Sequence, residues 1–195
     1  MQLQIQLHQM ELEQQHIQII KAKKYLIGGF FMVFETKTLE AKARQLLGDR
    51  GVSVVDIAEL VIFLQKEYIP ELTLETCVDS VNAVLTKREV HNTILTGIQL
   101  DILTEEDKLL QPLQSIVEGD EGLYGIDEVL ALSIVNVYGS IGFTNYGYID
   151  KVKPGILQRL NEKGGPRVHT FLDDIVGAIA AAAASRLAHS YSSEI

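Results

Sequence analysis

The stretch VHTFLDDIVGAIAAAAASRLAHS, Val168 to Ser190, decides the fold. Alanine has the best intrinsic helix propensity and gives up no side-chain freedom, so the run Ala178 to Ala184, interrupted only by Ile179, reads as helix. Thr170 and Asp173 have the Ncap-to-N3 spacing, and the helix is expected from Phe171 to about His189. From Ile175 to Ser185 the faces are apolar all round, and such a helix persists in water only when other helices surround it. Its small side chains also let those neighbours come close. The chain is therefore expected to be all-α, a multi-helix bundle around one buried, alanine-rich central helix.

The rest of the chain agrees with that reading. From Thr36 onward apolar positions recur at three and four residues, the period of amphipathic helices and not of strands. A first helix is expected over about Leu39 to Leu47, stopping at Gly48. Ser53 can cap a second that runs to Tyr68 ahead of Pro70, and Thr73 a third through Leu85. Thr86 with Glu89 has capping-box spacing for a fourth helix ending near Leu103, and Thr104 with Asp107 repeats the signal for a fifth. After the acidic turn Glu118 to Gly122, the run Leu123 to Val137 reads as a long, largely buried helix. Tyr138 to Tyr148 (YGSIGFTNYGY) mixes glycine with aromatic and hydroxyl residues and is expected to be a packed loop with little helix. Pro154 can begin a short helix that ends at Lys163-Gly164-Gly165-Pro166.

Composition narrows the function. With 195 residues, 47% hydrophobic and 22% charged, the chain has the balance of a globular protein and can bury one substantial core. A net charge of -9 argues against general binding to phosphate backbones, and no nucleic-acid partner is expected. The lone cysteine, Cys77, lies in the apolar run Leu74 to Val84 and reads as a small buried side chain in a reducing compartment. No stretch has the roughly 18 consecutive apolar residues that span a bilayer. Lys21 to Phe34 is basic and then apolar but has no small-residue cleavage site after it, so a cytoplasmic protein is expected. Residues 1–31 look foreign to the remainder, with seven glutamines between Met1 and Gln18. Gly28-Gly29, two codons ahead of Met32, is what a ribosome-binding GGAGG would encode in frame. Residues 1–31 are accordingly expected to be a translated upstream leader or a disordered arm, with a single domain over 32–195.

Candidate chemistry gathers at the start of the central helix. Carboxylates in a first turn meet the helix dipole favourably, so Asp173 reads equally as a helix cap and as a functional group. Asp174 asks for more, because adjacent helical residues point about 100° apart and at least one of the pair must face packed neighbours. There a carboxylate requires a hydrogen-bond partner, a cation or a metal. Asp127-Glu128 is a second acidic pair opening a long apolar helix. Two such pairs brought together could hold Mg²⁺, which takes one or two carboxylates with waters and substrate phosphate, whereas kept apart they are two ordinary helix starts. Gly139, Ser140, Gly142 and Thr144 could offer backbone N–H groups and hydroxyls to a phosphate, or could simply interrupt a helix. Arg167 and His169 flank the acids and could clamp phosphate and relay protons, with a surface arginine and a satisfied or exposed histidine as the plain alternatives. His91 and His189 have no companions at zinc-site spacing.

The phrases VYGSIGFTNYGYIDK, residues 137–151, and VHTFLDDIVGAIAAAAASRLAHS carry a further signal. From about Leu47 through His189 the chain resembles the soluble YutG-like, or low-temperature-requirement C, branch of the phosphatidylglycerophosphatase A family. The resemblance implies one central helix surrounded by about five others. It also implies a magnesium-dependent phosphatase that removes the terminal phosphate of phosphatidylglycerophosphate, with a phosphorylated small molecule or phospholipid head group as partner. In that chemistry Asp173 and Asp174 would ligate Mg²⁺ with Asp127 or Glu128 completing the site. Water would attack the phosphomonoester, and His169 or Arg167 would assist the leaving oxygen or the phosphate. Peripheral contact with the inner membrane face and a homo-oligomer are expected. The chain departs from the membrane-bound members in lacking their transmembrane helices, in placing Asp174 where their motif has glutamate, and in carrying an extra N-terminal helical region. The alternative is a non-catalytic helical protein of the same fold that binds a small ligand or assembles as an oligomer in low-temperature growth.

Overall fold

Residues 36–192 are described by the structure, a computed structural model, and among them there are helices and no strands. The leader expected over residues 1–31 lies outside the described residues. In chain order the helices are α1 (Thr36–Asp49), α2 (Val54–Gln65), α3 (Leu74–Val84), α4 (Arg88–Glu105), α5 (Leu113–Glu118), α6 (Ile126–Val135), α7 (Gly139–Val152), α8 (Ile156–Leu160) and α9 (Leu172–Ser192). A 3-10 turn, Asn136–Tyr138, joins α6 to α7.

Local chemistry sets several of these boundaries. The Asp56 carboxylate accepts from Ser53 N at 2.7 Å while Asp56 N donates to Ser53 Oγ at 3.1 Å, a complete capping box at the start of α2. Thr76 N donates to Thr73 Oγ1 at 3.2 Å to open α3. Each such cap stabilises its helix by roughly 1 kcal/mol.

Tertiary packing does the rest. Helix α9 occupies the centre, with α2, α3, α4, α6 and α7 packed on it and the short α8 beside it. Every residue from Thr170 to Ser185 is buried. Burying Phe171, Ile175 and Ile179 out of water contributes roughly 1.5–3 kcal/mol for each side chain. The alanines bring neighbouring backbones near enough for Ser80 on α3 to donate its hydroxyl to Ala183 O at 2.9 Å. The same closeness limits α4. A Cβ on Gly97 would lie 2.4 Å from Ile175 Cδ1 and 3.0 Å from Phe171 Cβ. Gly97→Ala should therefore destabilise the protein by about 1–2 kcal/mol, overpacking outweighing the gain in helix propensity. A urea midpoint at or above that of the parent would refute the close crossing.

Four local signals were outcompeted. Thr86 donates to Ala83 O at 2.8 Å and closes the preceding turn, and α4 begins at Arg88 behind Lys87 with no side-chain cap. Thr104 does not begin a fifth helix. It lies inside α4, donates back to Leu100 O at 2.8 Å, and the next helix starts only at Leu113. The run from Leu123 is helical only from Ile126, behind Gly125 at φ 66°, and its outer face is open, with Leu123 94% and Val129 61% exposed.

The fourth difference is the largest, because the expected loop Tyr138–Tyr148 lies almost wholly in helix α7. Glycine serves here for close packing: a Cβ on Gly142 would sit 3.1 Å from Val135 Cγ1. Tyr146 and Ile149 are buried on the same helix, so burial overrides weak helix propensity.

Candidate metal centre

The acidic pairs open α6 and α9, and the packing of these two helices against each other joins them. Asp127, Glu128 and Asp174 each present an oxygen within 4.8 Å of the other two. Asp127 and Asp174 are only 6% and 5% exposed, and Glu128 Oε2 is buried without a hydrogen-bond partner. Burial, reinforced by the charge of the neighbouring Glu128 carboxylate, pushes Asp127 up to about 7. Burial and then the neighbouring Asp173 carboxylate push Asp174 up to about 8. Carboxylates gathered out of water with an acceptor left unpaired are a poor arrangement for the protein alone and a good one around a hard cation. The donor chemistry fits Mg²⁺.

Asp173 stands outside that trio. Lys153 Nζ lies 2.7 Å from Asp173 Oδ2, 2.5 Å from Asp150 Oδ1 and 3.5 Å from Asp174 Oδ1. Burial works against the ammonium form, but these carboxylates outweigh it and hold the Lys153 pKa above the ordinary lysine value. Lys153 occupies the left-handed region, φ 47°, at the end of α7, a conformation that costs a non-glycine residue roughly 1 kcal/mol and that is concentrated at functional sites. Tyr146, one turn before Asp150, is buried beside Asp174, and burial raises its phenol pKa.

The start of α9 is capped from elsewhere. Thr170 donates its hydroxyl to Val117 O at 2.7 Å, so it does not pair with Asp173. The free N–H groups of Phe171 and Leu172 donate instead to the two oxygens of the fully buried Asp101 on α4, each at 3.1 Å.

His169 and Arg167 lie on the segment between α8 and α9 and line a cavity of about 450 Å³ that Asp173 also lines. His169 Nδ1 is 3.1 Å from Leu160 O, and burial followed by the Arg50 charge lowers its pKa. Arg167 is exposed and donates through Nη1 to Asp49 O at 2.9 Å. Gly139, Ser140, Gly142 and Thr144 are elsewhere. Ser185 Oγ donates to Tyr138 O at 2.8 Å, and Ser185 follows Asp174 by eleven residues on α9, which places the start of α7 about 16 Å along the helix from the acids. Ser140 and Thr144 line a separate cavity of about 420 Å³ with Gln65, Tyr68 and Tyr191.

Against known proteins, residues 48–189 match the family described as phosphatidylglycerophosphatase A. The chain belongs to that family. It is 69% identical over 151 residues to the uncharacterized protein YutG of Bacillus subtilis (strain 168), covering 77% of this chain and 91% of that protein. The crystal structure of the low temperature requirement C protein from Listeria monocytogenes is 69% identical, with a TM-score of 0.79 over 81% of this chain and 99% of that one. The protein ypjQ of Bacillus subtilis, also solved, is 51% identical with a TM-score of 0.80 over 83% of this chain and 100% of that one. As a member of the phosphatidylglycerophosphatase A family, the chain has a phosphatase-like, all-α fold carrying an acidic cluster. Among the described residues, one helical run, Ile126–Val152, is long and apolar enough to cross a membrane by length and composition.

Lys153, Asp150, Tyr146 and Asp101 were not singled out from sequence. Asp150 and Lys153 stand three apart just before Pro154, an acid-base pair at a helix end that could have drawn notice. Asp101 gives no local signal at all.

A pH dependence follows from the trio. Unfolded aspartates titrate near about 4, so across the window from there to about 8 the folded, metal-free protein binds more protons than the unfolded chain. Its stability should fall as pH rises through that window. Magnesium, which needs the ionised carboxylates, should raise Tm more at pH 8 than at pH 6. Thermal melts in EDTA and in magnesium at the two pH values test this, and a magnesium effect independent of pH would count against the trio as the binding site.

Proposed function

We propose that the protein is a magnesium-dependent phosphatase acting on a phosphomonoester, with phosphatidylglycerophosphate the substrate its family favours. One observation carries the reading: Asp127, Glu128 and Asp174 converge in an all-oxygen donor set with the ammonium of Lys153 at its edge. A magnesium ion held there would supply charge neutralisation for the phosphoryl group and lower the pKa of water.

The residues of the chain have distinct parts in this reading. Asp127, Glu128 and Asp174 hold the ion. Asp150 and Asp173 keep Lys153 charged and fixed, and a phosphate oxygen could replace one of those carboxylate contacts. Arg167 spends one Nη on Asp49 O and retains other N–H groups for an anion. His169 has one ring nitrogen anchored and the other without a hydrogen bond, as a proton-transferring imidazole requires. Leu123, Ile126 and Val129 are exposed around the acidic pair of α6, which supports contact with a lipid surface beside the site.

The decisive experiment is phosphate release from phosphatidylglycerophosphate in mixed micelles, with and without Mg²⁺, for the parent protein and Asp127→Asn. Metal-dependent release that disappears in the variant is the expected result. If magnesium raises Tm but neither this lipid nor p-nitrophenyl phosphate is hydrolysed, the phosphatase reading fails and a ligand-binding protein of the same fold takes its place.

A further inference from the structure

The chain has a formal net charge of -9 and 22% charged residues, yet one broad surface carries no exposed charge. From Val129 through Tyr148, across the outer sides of α6 and α7, every exposed residue is a valine, isoleucine, phenylalanine, tyrosine, serine, threonine, asparagine or glycine. Phe143 is 41% and Tyr148 54% exposed. The patch continues onto α2, where Phe63 stacks on Tyr148 with ring centroids 5.8 Å apart while both rings stay open to water. Depletion of charge together with exposed aromatic side chains marks the core of a protein interface.

The patch has relief as well. Between the end of α2 and the start of α7 lies the cavity of about 420 Å³, whose walls include Tyr68, Ile69, Ser140, Ile141, Thr144 and Asn145 and no charged group. Phe143 stands on α7 outside that hollow and projects into solvent. Gly147 is exposed in the interior of α7, where glycine costs roughly 1 kcal/mol relative to alanine. Among the described residues nothing packs within 4 Å of the place its Cβ would take. The fold of one chain therefore makes no use of the missing side chain, whereas a second backbone approaching from outside would.

Charge decides which partner fits. An anionic lipid surface attracts peripheral proteins through lysine and arginine, and this patch exposes neither. Two copies of the chain, each at -9, repel one another over most of their surfaces. A two-fold axis also sets each patch against its own equivalent, so a charge within it would meet its like, and an uncharged patch avoids this. Self-complementarity further requires a projection and a hollow on the same patch, which Phe143 and the neighbouring cavity supply. We infer that α7 and the end of α2 form a symmetric dimer face, with Phe143 of each copy seated in the cavity between α2 and α7 of the other.

Size-exclusion chromatography with light scattering on the full chain tests the dimer. At micromolar concentration the parent should run at twice the mass of one chain, and Phe143→Asp at the mass of one chain with its helical circular dichroism unchanged. Ser140→Trp should also run as one chain, because the indole fills the hollow that Phe143 must enter. That variant adds apolar surface, so association by stickiness alone would be strengthened by it. Leu110→Asp, which removes a more exposed leucine from the loop between α4 and α5, should remain a dimer. A parent that runs as one chain overturns the inference, and if that monomer sediments with phosphatidylcholine vesicles the occupant of the face is lipid. A dimer that survives both Phe143→Asp and Ser140→Trp is built on another surface and overturns it equally. A dimer broken by Phe143→Asp but not by Ser140→Trp overturns the seating of Phe143 in the cavity.

Discussion

Asp174→Asn is expected to lower magnesium-dependent turnover by at least about 1,000-fold while leaving the helical circular dichroism intact. The size of the effect comes from losing an ionic ligand: metal stabilisation of a phosphoryl transition state amounts to several kcal/mol, and each 1.36 kcal/mol is a factor of ten. Asp174 is placed to matter more than its neighbours because it lies in the trio and also within 3.5 Å of Lys153. Asparagine has the same shape and resembles the protonated acid that the metal-free site favours up to about 8, so the fold should tolerate it. The variant should be at least as stable as the parent in EDTA at pH 8, because a carboxylate that must ionise in a buried place has been removed. Phosphate release together with calorimetric magnesium titration decides the matter. Undiminished turnover with unchanged metal affinity would remove Asp174 from the site.

The largest loss of stability is expected from Asp101→Ala, at about 3–4 kcal/mol. This carboxylate, on α4, satisfies the N–H groups of Phe171 and Leu172, and all the participants are buried. Deleting it strands two buried donors, each costing about 1–3 kcal/mol, where the central helix begins. Domains of this kind have roughly 5–15 kcal/mol in total, so the urea midpoint should drop sharply and Tm by about 10 °C. Burial raises the Asp101 pKa well above the ordinary value, so the carboxylate is held there against its own desolvation. Asp101→Asn, which keeps one acceptor and removes the charge, should lose far less. An Asp101→Ala unfolding free energy within about 1 kcal/mol of the parent would show that the helix start is satisfied by other means.

Several features of this molecule are local consequences of sequence. The period of the apolar residues dictated helices, and Ser53 with Asp56 and Thr73 with Thr76 formed the caps their spacing allows. The run from Ile175 to Ser185 had nothing polar to offer water before its final serine, so it lies at the centre. Asp173 and Asp174 were legible for the same reason, as charges beside an element that had to be buried.

What tertiary structure alone decided is which distant groups meet. Thr170 and Asp173 have cap spacing, yet the first found Val117 O, the second found Lys153, and the cap came from Asp101 on α4. Gly139 to Tyr148 resembles a loop by composition and became helix because Tyr146 and Ile149 could be buried on it. That same helix carries Lys153 to the acids while its start, with Ser140 and Thr144, is held near the other end of α9. Spacing along the chain reports only interactions within a few residues. A buried charge must find its partner wherever the packed helices leave one, and that choice is made by the whole fold at once.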